Sequence, residues 1–361
     1  MKLRLTIVFA SIHIFLLAQN NTPKNVILMI GDGMGLSQVS MAYYFQKDNT
    51  NFSRFNDIGL IITSSASHKI TDSAAGATAF AAGEKTYNGA ICLDTDSNHL
   101  TSIVDILYKK KKMSSGLVAT SSITHATPAC FYAHQLNRKM EKEIAKDMLK
   151  ANISYFAGGG KKFFRPIFEQ LSKKYIIDTS QLIINDMNQN KNYAFLLAEN
   201  GMPKMTEGRG DFLPKATKLG LERLSMDTDG FFFMIEGSQI DWGGHANDAD
   251  YILNELIDFD KSIGLVLDFA EKNGETLVIV TADHETGGLA LTAQESRLMK
   301  FLKGKRDYNI IKPSFTSGGH STSLVPVFAY GPGSENFRGV YNNTEIFKNI
   351  LKSVIKKAPP Q

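Results

Sequence analysis

The chain is 361 residues long, with 43% apolar, 10% aromatic and 21% charged side chains and a formal net charge of +4. These proportions are those of an ordinary globular protein and exclude a disordered chain, a collagen-like repeat and a multi-span membrane protein. The basic residues are scattered apart from Lys109 to Lys112 and the C-terminal stretch, so the basic face of a nucleic-acid-binding protein is missing.

The first segment, MKLRLTIVFASIHIFLLAQN, places Lys2 and Arg4 ahead of an apolar run from Leu5 to Ala18. A basic start, a short apolar stretch and a small residue at its end form the pattern of a secretory signal peptide over residues 1–18. A spanning helix needs about 20 apolar residues, so no membrane contact is expected once the segment is removed. Its loss takes the net charge from +4 to +2. Residues 19–361 contain no repeat, low-complexity tract or linker, and read as a single domain. Cys92 and Cys130 are too few for a disulfide scaffold and read as small core residues.

Downstream, apolar strand-like runs at 25–30, 115–122, 231–236, 276–282 and 324–331 alternate with helical patterns at Gly35 to Gln46, Ala74 to Ala82, His134 to Leu149 and Asp248 to Glu271. Continuous β-rich runs belong to strands buried on both faces. Their alternation with helices predicts an α/β three-layer sandwich around a large, mostly parallel central sheet. The stretch 161–211 carries fewer such signals and is expected at the periphery. In open α/β sheets ligands bind beyond the carboxyl ends of the strands, which makes the polar residues after each run the candidates for function.

After the first run, GDGMG sets Asp32 between two glycines that allow a sharp turn. In TDSAAGATAFAAG, Asp72 or Ser73 can cap a helix of small residues. A serine there faces free backbone N–H groups and the positive end of the helix dipole, a natural place for phosphate. SSITHATPACFYAHQLNR carries His125 and Thr127, and Pro128 can begin a helix with Arg138 some ten residues along it. Arginine is a bidentate clamp for phosphate oxygens. EGSQIDWGGHAND brings Glu236, Asp241 and His245 within ten residues; TADHETGG holds Asp283 and His284; SGGHS holds His320 just before the last strand. Each has a structural reading alone, but acids and imidazoles recurring at strand ends point to metal. His and carboxylate ligands without thiolate favour zinc, and all-oxygen sets favour magnesium or manganese. A serine hydroxyl beside a metal can serve as nucleophile without a histidine base.

Taken together, NVILMIGDGMG, TDSAAGATAFAAG, THATPACFYAHQLNR, EGSQIDWGGHAND, TADHETGG and SGGHS, in this order between residues 25 and 321, resemble the alkaline phosphatase family in its cold-active, secreted bacterial form. The resemblance implies hydrolysis of phosphate monoesters with broad specificity and an alkaline optimum. Ser73 would be the nucleophile and form a phosphoserine, and Asp72 would orient the phosphate-binding Arg138. It also implies one zinc on Asp241, His245 and His320, a second on Asp32, Asp283, His284 and Ser73, and a magnesium on Asp32, Thr127 and Glu236. His125 and Trp242 fall on positions that vary in the family, where some relatives carry Asp and Lys. His125 is expected to reach the third metal through water and Trp242 to line the pocket mouth, both as substrate-binding residues. A homodimer in the bacterial periplasm or outside the cell follows from the same likeness. The alternatives are a phosphodiesterase or nucleotide pyrophosphatase on the same scaffold, which Arg138, Thr127 and Glu236 disfavour, and a non-catalytic secreted metal- or phosphate-binding protein, which Ser73 disfavours.

Overall fold

The computed structural model describes residues 22–295 and 306–355; the predicted signal segment lies outside them. The strands, in chain order, are β1 (Asn25–Gly31), β2 (Asp57–Ile62), β3 (Ser114–Ser122), β4 (Tyr155–Gly159), β5 (Tyr175–Asp178), β6 (Asn192–Ala198), β7 (Phe231–Gly237), β8 (Thr276–Thr281), β9 (Glu285–Thr286), β10 (Ala290–Glu295), β11 (Arg306–Ser314), β12 (His320–Ser321), β13 (Val325–Tyr330) and β14 (Gly339–Asn342). Ten of them form one sheet in the order β14-β2-β13-β8-β1-β7-β3-β4-β6-β5. Every residue of β1, β3, β7 and β8 is buried. That is why these four read as unbroken apolar runs rather than as alternating ones: helices cover both faces of the sheet. The helices Phe212–Leu224 and Ala249–Asn273 pack together and on the central strands, and Ser73–Ala82, Ile103–Lys111, Ala126–Ala129 and Glu345–Val354 make a second group. The predicted mostly parallel α/β sandwich is the observed architecture.

All strands of this sheet run parallel except β13, which is antiparallel to both β2 and β8. The reversal has a functional consequence. A residue ahead of a parallel strand would sit at the sheet's amino edge, whereas His320, ahead of the reversed β13, arrives at the carboxyl edge with the residues that follow β1, β3, β7 and β8. The small antiparallel pair β9–β12 then aligns His320 with Thr286.

Two sequence expectations are corrected. The helix expected over His134 to Leu149 covers only Glu141–Asp147, and the turn starting near Pro128 ends at Ala129, so Arg138 lies on a loop instead of ten residues along a helix. The cause is tertiary pairing. Ile91 and Gln135 exchange backbone hydrogen bonds, and the Arg138 N–H donates to the Gly89 carbonyl at 2.8 Å, using backbone groups that a helix would need. The stretch 161–211 supplies the edge strand β5 and its neighbour β6, as a peripheral segment should. Yet Arg209 within it is buried between Glu255 and Asp258 of the long Ala249–Asn273 helix, which ties this segment down. Cys92 and Cys130 are buried and form no disulfide.

The turn after β1 depends on Gly33, whose φ of +73° lies in the left-handed region. A Cβ there would sit 2.7 Å from Thr286 Oγ1 and 2.8 Å from Asp241 Cα. Gly33→Ala should therefore lower stability by about 2 kcal/mol or more, from backbone strain and overlap together. An unchanged thermal midpoint in calorimetry would contradict this.

Candidate active site

The carboxyl edge of the sheet collects the residues singled out above into three adjoining groups. Asp241, His245 and His320 form one, Asp32, Asp283 and His284 a second, and Asp32, His125 and Glu236 a third, with ligand atoms in each within 4.8 Å of one another. The rings of His284 and His320 stack with centroids 3.5 Å apart, so the first two groups share a wall. Thr127, placed by the sequence beside Glu236, is fully buried.

Local structure explains how these side chains are aimed. Asp241 and His245 occupy the helix Gln239–His245 directly after β7, four residues apart and hence on one face. The His245 Nδ1 lies 2.7 Å from the Gly318 carbonyl and the His320 Nδ1 lies 2.8 Å from the Thr71 carbonyl. A carbonyl only accepts, so each Nδ1 carries the proton and each Nε2 presents a lone pair. Those two lone pairs face each other at 3.2 Å, with the Asp241 carboxylate 3.4 and 3.6 Å from them. Only a cation or a shared proton reconciles this arrangement.

Glu236 and Asp283 follow one rule: one oxygen is tied and the other is left free. Glu236 Oε2 accepts from Ser238 at 2.6 Å and Ser121 at 3.2 Å, while its Oε1 has no hydrogen-bond partner. Asp283 Oδ1 accepts from the Gly33 and His284 N–H groups, while its Oδ2 has none. Asp32 has neither oxygen hydrogen-bonded and belongs to two groups at once, as a bridging ligand must. The Thr127 Oγ1 is also buried without a partner. Buried polar atoms are ordinarily paired, and so many orphans converging on one edge fit the donor set of divalent cations.

The electrostatics agree. Burial and then Asp283, Asp241 and Glu236 push Asp32 well above the usual carboxylate range. Burial pushes Glu236 up to about 7 and also raises Asp283. Burial and His320 hold His284 neutral, which is the form that ligates metal.

Ser73 opens the helix Ser73–Ala82, every residue of which is buried. Asp72 is its cap, accepting from the Ala75 N–H at 3.0 Å. Gly76 lets the helix lie against Asp283, where a Cβ would approach to 3.0 Å. The result places Ser73 Oγ 3.2 Å from His284 Nε2. The other oxygen of Asp72 holds Arg138 Nη1 at 3.2 Å, and Arg138 Nη2 meets His125 Nε2 at 3.2 Å. Trp242 is half-buried and stands edge-on to His125, with centroids 6.1 Å apart. The sequence reading missed Ser121, Ser238 and Thr286, which hold the ligands from behind; they lie inside the quoted motifs, but nothing in their spacing signals contact with a carboxylate.

A serine at a helix N-terminus, a clamped arginine and adjoining groups of metal-ligating residues at the carboxyl edge of an α/β sheet define a metal-binding hydrolase of phosphate esters. The alkaline phosphatase family model matches residues 23–171 and 159–312, and the chain belongs to that family. It is an enzyme of phosphate monoester hydrolysis. Alkaline phosphatase 3 of Bacillus subtilis is 35% identical over 92% of this chain and 89% of its own length. The alkaline phosphatase of the Antarctic bacterium TAB5 is 50% identical, covers 94% of this chain and 99% of its own, and superposes with a TM-score of 0.89. The cold-active enzyme of Shewanella sp. is 31% identical over 92% of this chain and 100% of its own, with a TM-score of 0.84. A His-to-Asp mutant of the TAB5 enzyme is described with Mg bound in its M3 site.

The raised carboxyls set a pH dependence for the metal-stripped protein. With Glu236 near 7 when folded and near 4.5 when unfolded, the folded state holds more protons across that interval. Stability is then full below about pH 4.5 and is lost as pH rises through about 7. Chelated protein should melt at a lower temperature at about pH 8 than at about pH 5, and added divalent cation should restore most at the higher pH. A chelated protein whose midpoint climbs across this range contradicts the assignment.

Proposed function

We propose that the chain hydrolyses phosphate monoesters through a phosphoserine on Ser73, using two zinc ions and one magnesium. The observation that carries this reading is the position of Ser73 Oγ, at the edge of the Asp32–Asp283–His284 group and on the helix whose cap holds Arg138. By donor chemistry, Asp241, His245 and His320 suit one zinc, and Asp32, Asp283 and His284, with Ser73, suit the other. The oxygens of Asp32, Thr127 and Glu236 suit magnesium. Bound there, the cations supply Lewis acidity that favours the ionised Ser73 hydroxyl and neutralises charge on the departing oxygen.

The protein's own residues do the positioning. Arg138, oriented by Asp72, takes two phosphoryl oxygens in a bidentate grip. The free N–H groups at the start of the Ser73–Ala82 helix favour the same anion. Ser73 Oγ attacks phosphorus in line; the Oγ–P bond forms as the bond to the alcohol oxygen breaks, and that oxygen leaves with a proton from water. Water then attacks the phosphoserine, Oγ leaves, and phosphate is released. A broad substrate range follows from a site built around the phosphoryl group. An alkaline optimum follows from the need for ionised serine and hydroxide.

His125 has a defined part in this scheme. The guanidinium of Arg138 only donates, so His125 Nε2 accepts, and burial with Arg138 nearby pushes the ring down to about 3, which keeps it neutral. Its proton therefore sits on Nδ1, suited to a water beside Asp32 and Glu236 and unsuited to direct coordination. The basic start and short apolar run over residues 1–18 support secretion.

Ser73→Ala should fold normally and lose on the order of 10³-fold or more in kcat on p-nitrophenyl phosphate at alkaline pH. Chelation should abolish activity, and zinc with magnesium should restore it. Acid-quenched wild type should carry phosphate on Ser73 by mass spectrometry. Full activity in the Ser73→Ala protein would overturn the covalent mechanism, and faster turnover of bis(p-nitrophenyl) phosphate would favour a diesterase.

A further inference from the structure

Thr286 is buried completely, on β9 between the two imidazole-bearing segments. Its Oγ1 lies 2.5 Å from Asp241 Oδ1 and 3.2 Å from His284 Nδ1. These two partners belong to different groups of candidate ligands, Asp241 to the one with His245 and His320, and His284 to the one with Asp32 and Asp283. We infer that Thr286 is a positioning residue that sets a ligand in each of the two zinc sites with a single hydroxyl; the inference rests on the two-zinc reading above.

A threonine hydroxyl has one proton and lone pairs to spare. A metal-binding carboxylate is ionised and only accepts, so the Thr286 proton is directed at Asp241 Oδ1. That leaves an oxygen lone pair toward His284 Nδ1, which must then carry the ring proton. The His284 Nε2 is thereby left as a lone pair aimed at Ser73 Oγ, Asp32 Oδ1 and Asp283 Oδ2, at 3.2, 3.4 and 3.4 Å. His245 and His320 have the same tautomer set by the backbone carbonyls of Gly318 and Thr71. His284 has a side-chain hydroxyl in that place, so this tautomer alone of the three can be changed by substitution.

The surroundings leave the hydroxyl little freedom. The Thr286 N–H donates to the Gly33 carbonyl at 3.1 Å, and its carbonyl accepts from Gln38 Nε2 at 2.8 Å. Gly33 and Gly244 crowd its side chain so closely that a Cβ at either would come within 2.7 or 2.8 Å of it. Backbone bonds on both sides and glycines around the side chain hold the Oγ1 between its partners. Loss of an outer partner of a metal ligand typically costs about ten- to a hundredfold in metal affinity or activity.

The test uses the full zinc-loaded enzyme. Thr286→Val keeps the shape and removes the hydroxyl, and Thr286→Ser keeps the hydroxyl. Zinc release to a colorimetric chelator should be about ten- to a hundredfold faster for both equivalents in the valine protein and near wild type in the serine protein. The valine protein's kcat on p-nitrophenyl phosphate should fall by a similar factor, with KM changing less, because Arg138 is untouched. Should the valine protein not fold by near-ultraviolet circular dichroism, Thr286→Ala against Thr286→Ser isolates the hydroxyl on a common loss of the methyl, with the same expectation. Equal zinc release from the hydroxyl-bearing and hydroxyl-free variants overturns the role of Thr286. Wild type that binds no zinc overturns the two-zinc reading itself.

Discussion

The structure is organised around one unfavourable interaction. Asp32, Glu236, Asp241 and Asp283 are buried together at one edge of the sheet; burial resists the ionisation of Asp32, Glu236 and Asp283, and repulsion from neighbouring carboxylates adds to it at Asp32 and Glu236. Isolated buried charge is too costly to leave uncompensated. Arg138, whose guanidinium is held by Asp72 and faces His125, cannot balance four carboxylates by itself. Divalent cations can, and the free oxygens of Asp32, Glu236 and Asp283 are those that no N–H or O–H group satisfies. Folding and cation binding are thereby coupled.

A site of this kind works only if its ligands are held while empty. The fold does so with groups outside the ligand set: Ser121 and Ser238 behind Glu236, the Gly33 N–H behind Asp283, and the carbonyls of Gly318 and Thr71 behind two histidines. The Ser73–Ala82 helix contributes in another way. Its small residues and Gly76 allow the close approach that puts the Ser73 hydroxyl and a dipole end against the carboxylate cluster. Reversal of β13 completes the arrangement by delivering His320 from the opposite chain direction.

Much of this was legible in the residues alone. The unbroken apolar runs of β1, β3, β7 and β8 announce strands covered on both faces, and the polar residues after them announce the functional edge. Strands β2, β4, β5 and β14 carry no such signal, since they are short, glycine-bearing or partly exposed, and β6, whose YAFLLA run is apolar throughout, lies in the stretch expected at the periphery. The helix expected over His134 to Leu149 failed because a 3.6-residue pattern cannot report that Gln135 and Arg138 would spend their backbone groups on Ile91 and Gly89.

The sequence by itself determined the chemistry: acids and imidazoles at strand ends, a serine at a helix start, an arginine within reach, and motifs in the order of the alkaline phosphatases. It did so because residue type and local pattern are properties of neighbouring positions in the chain. Only the tertiary structure decided which oxygen of each carboxylate is free, which nitrogen of each histidine carries the proton, and that Thr286 stands between the two groups. Several of those choices depend on hydrogen-bond partners tens to hundreds of residues away, such as Thr286 for Asp241 and the Thr71 carbonyl for His320, brought within about 3 Å by sheet order and by the one reversed strand, and no local pattern records them.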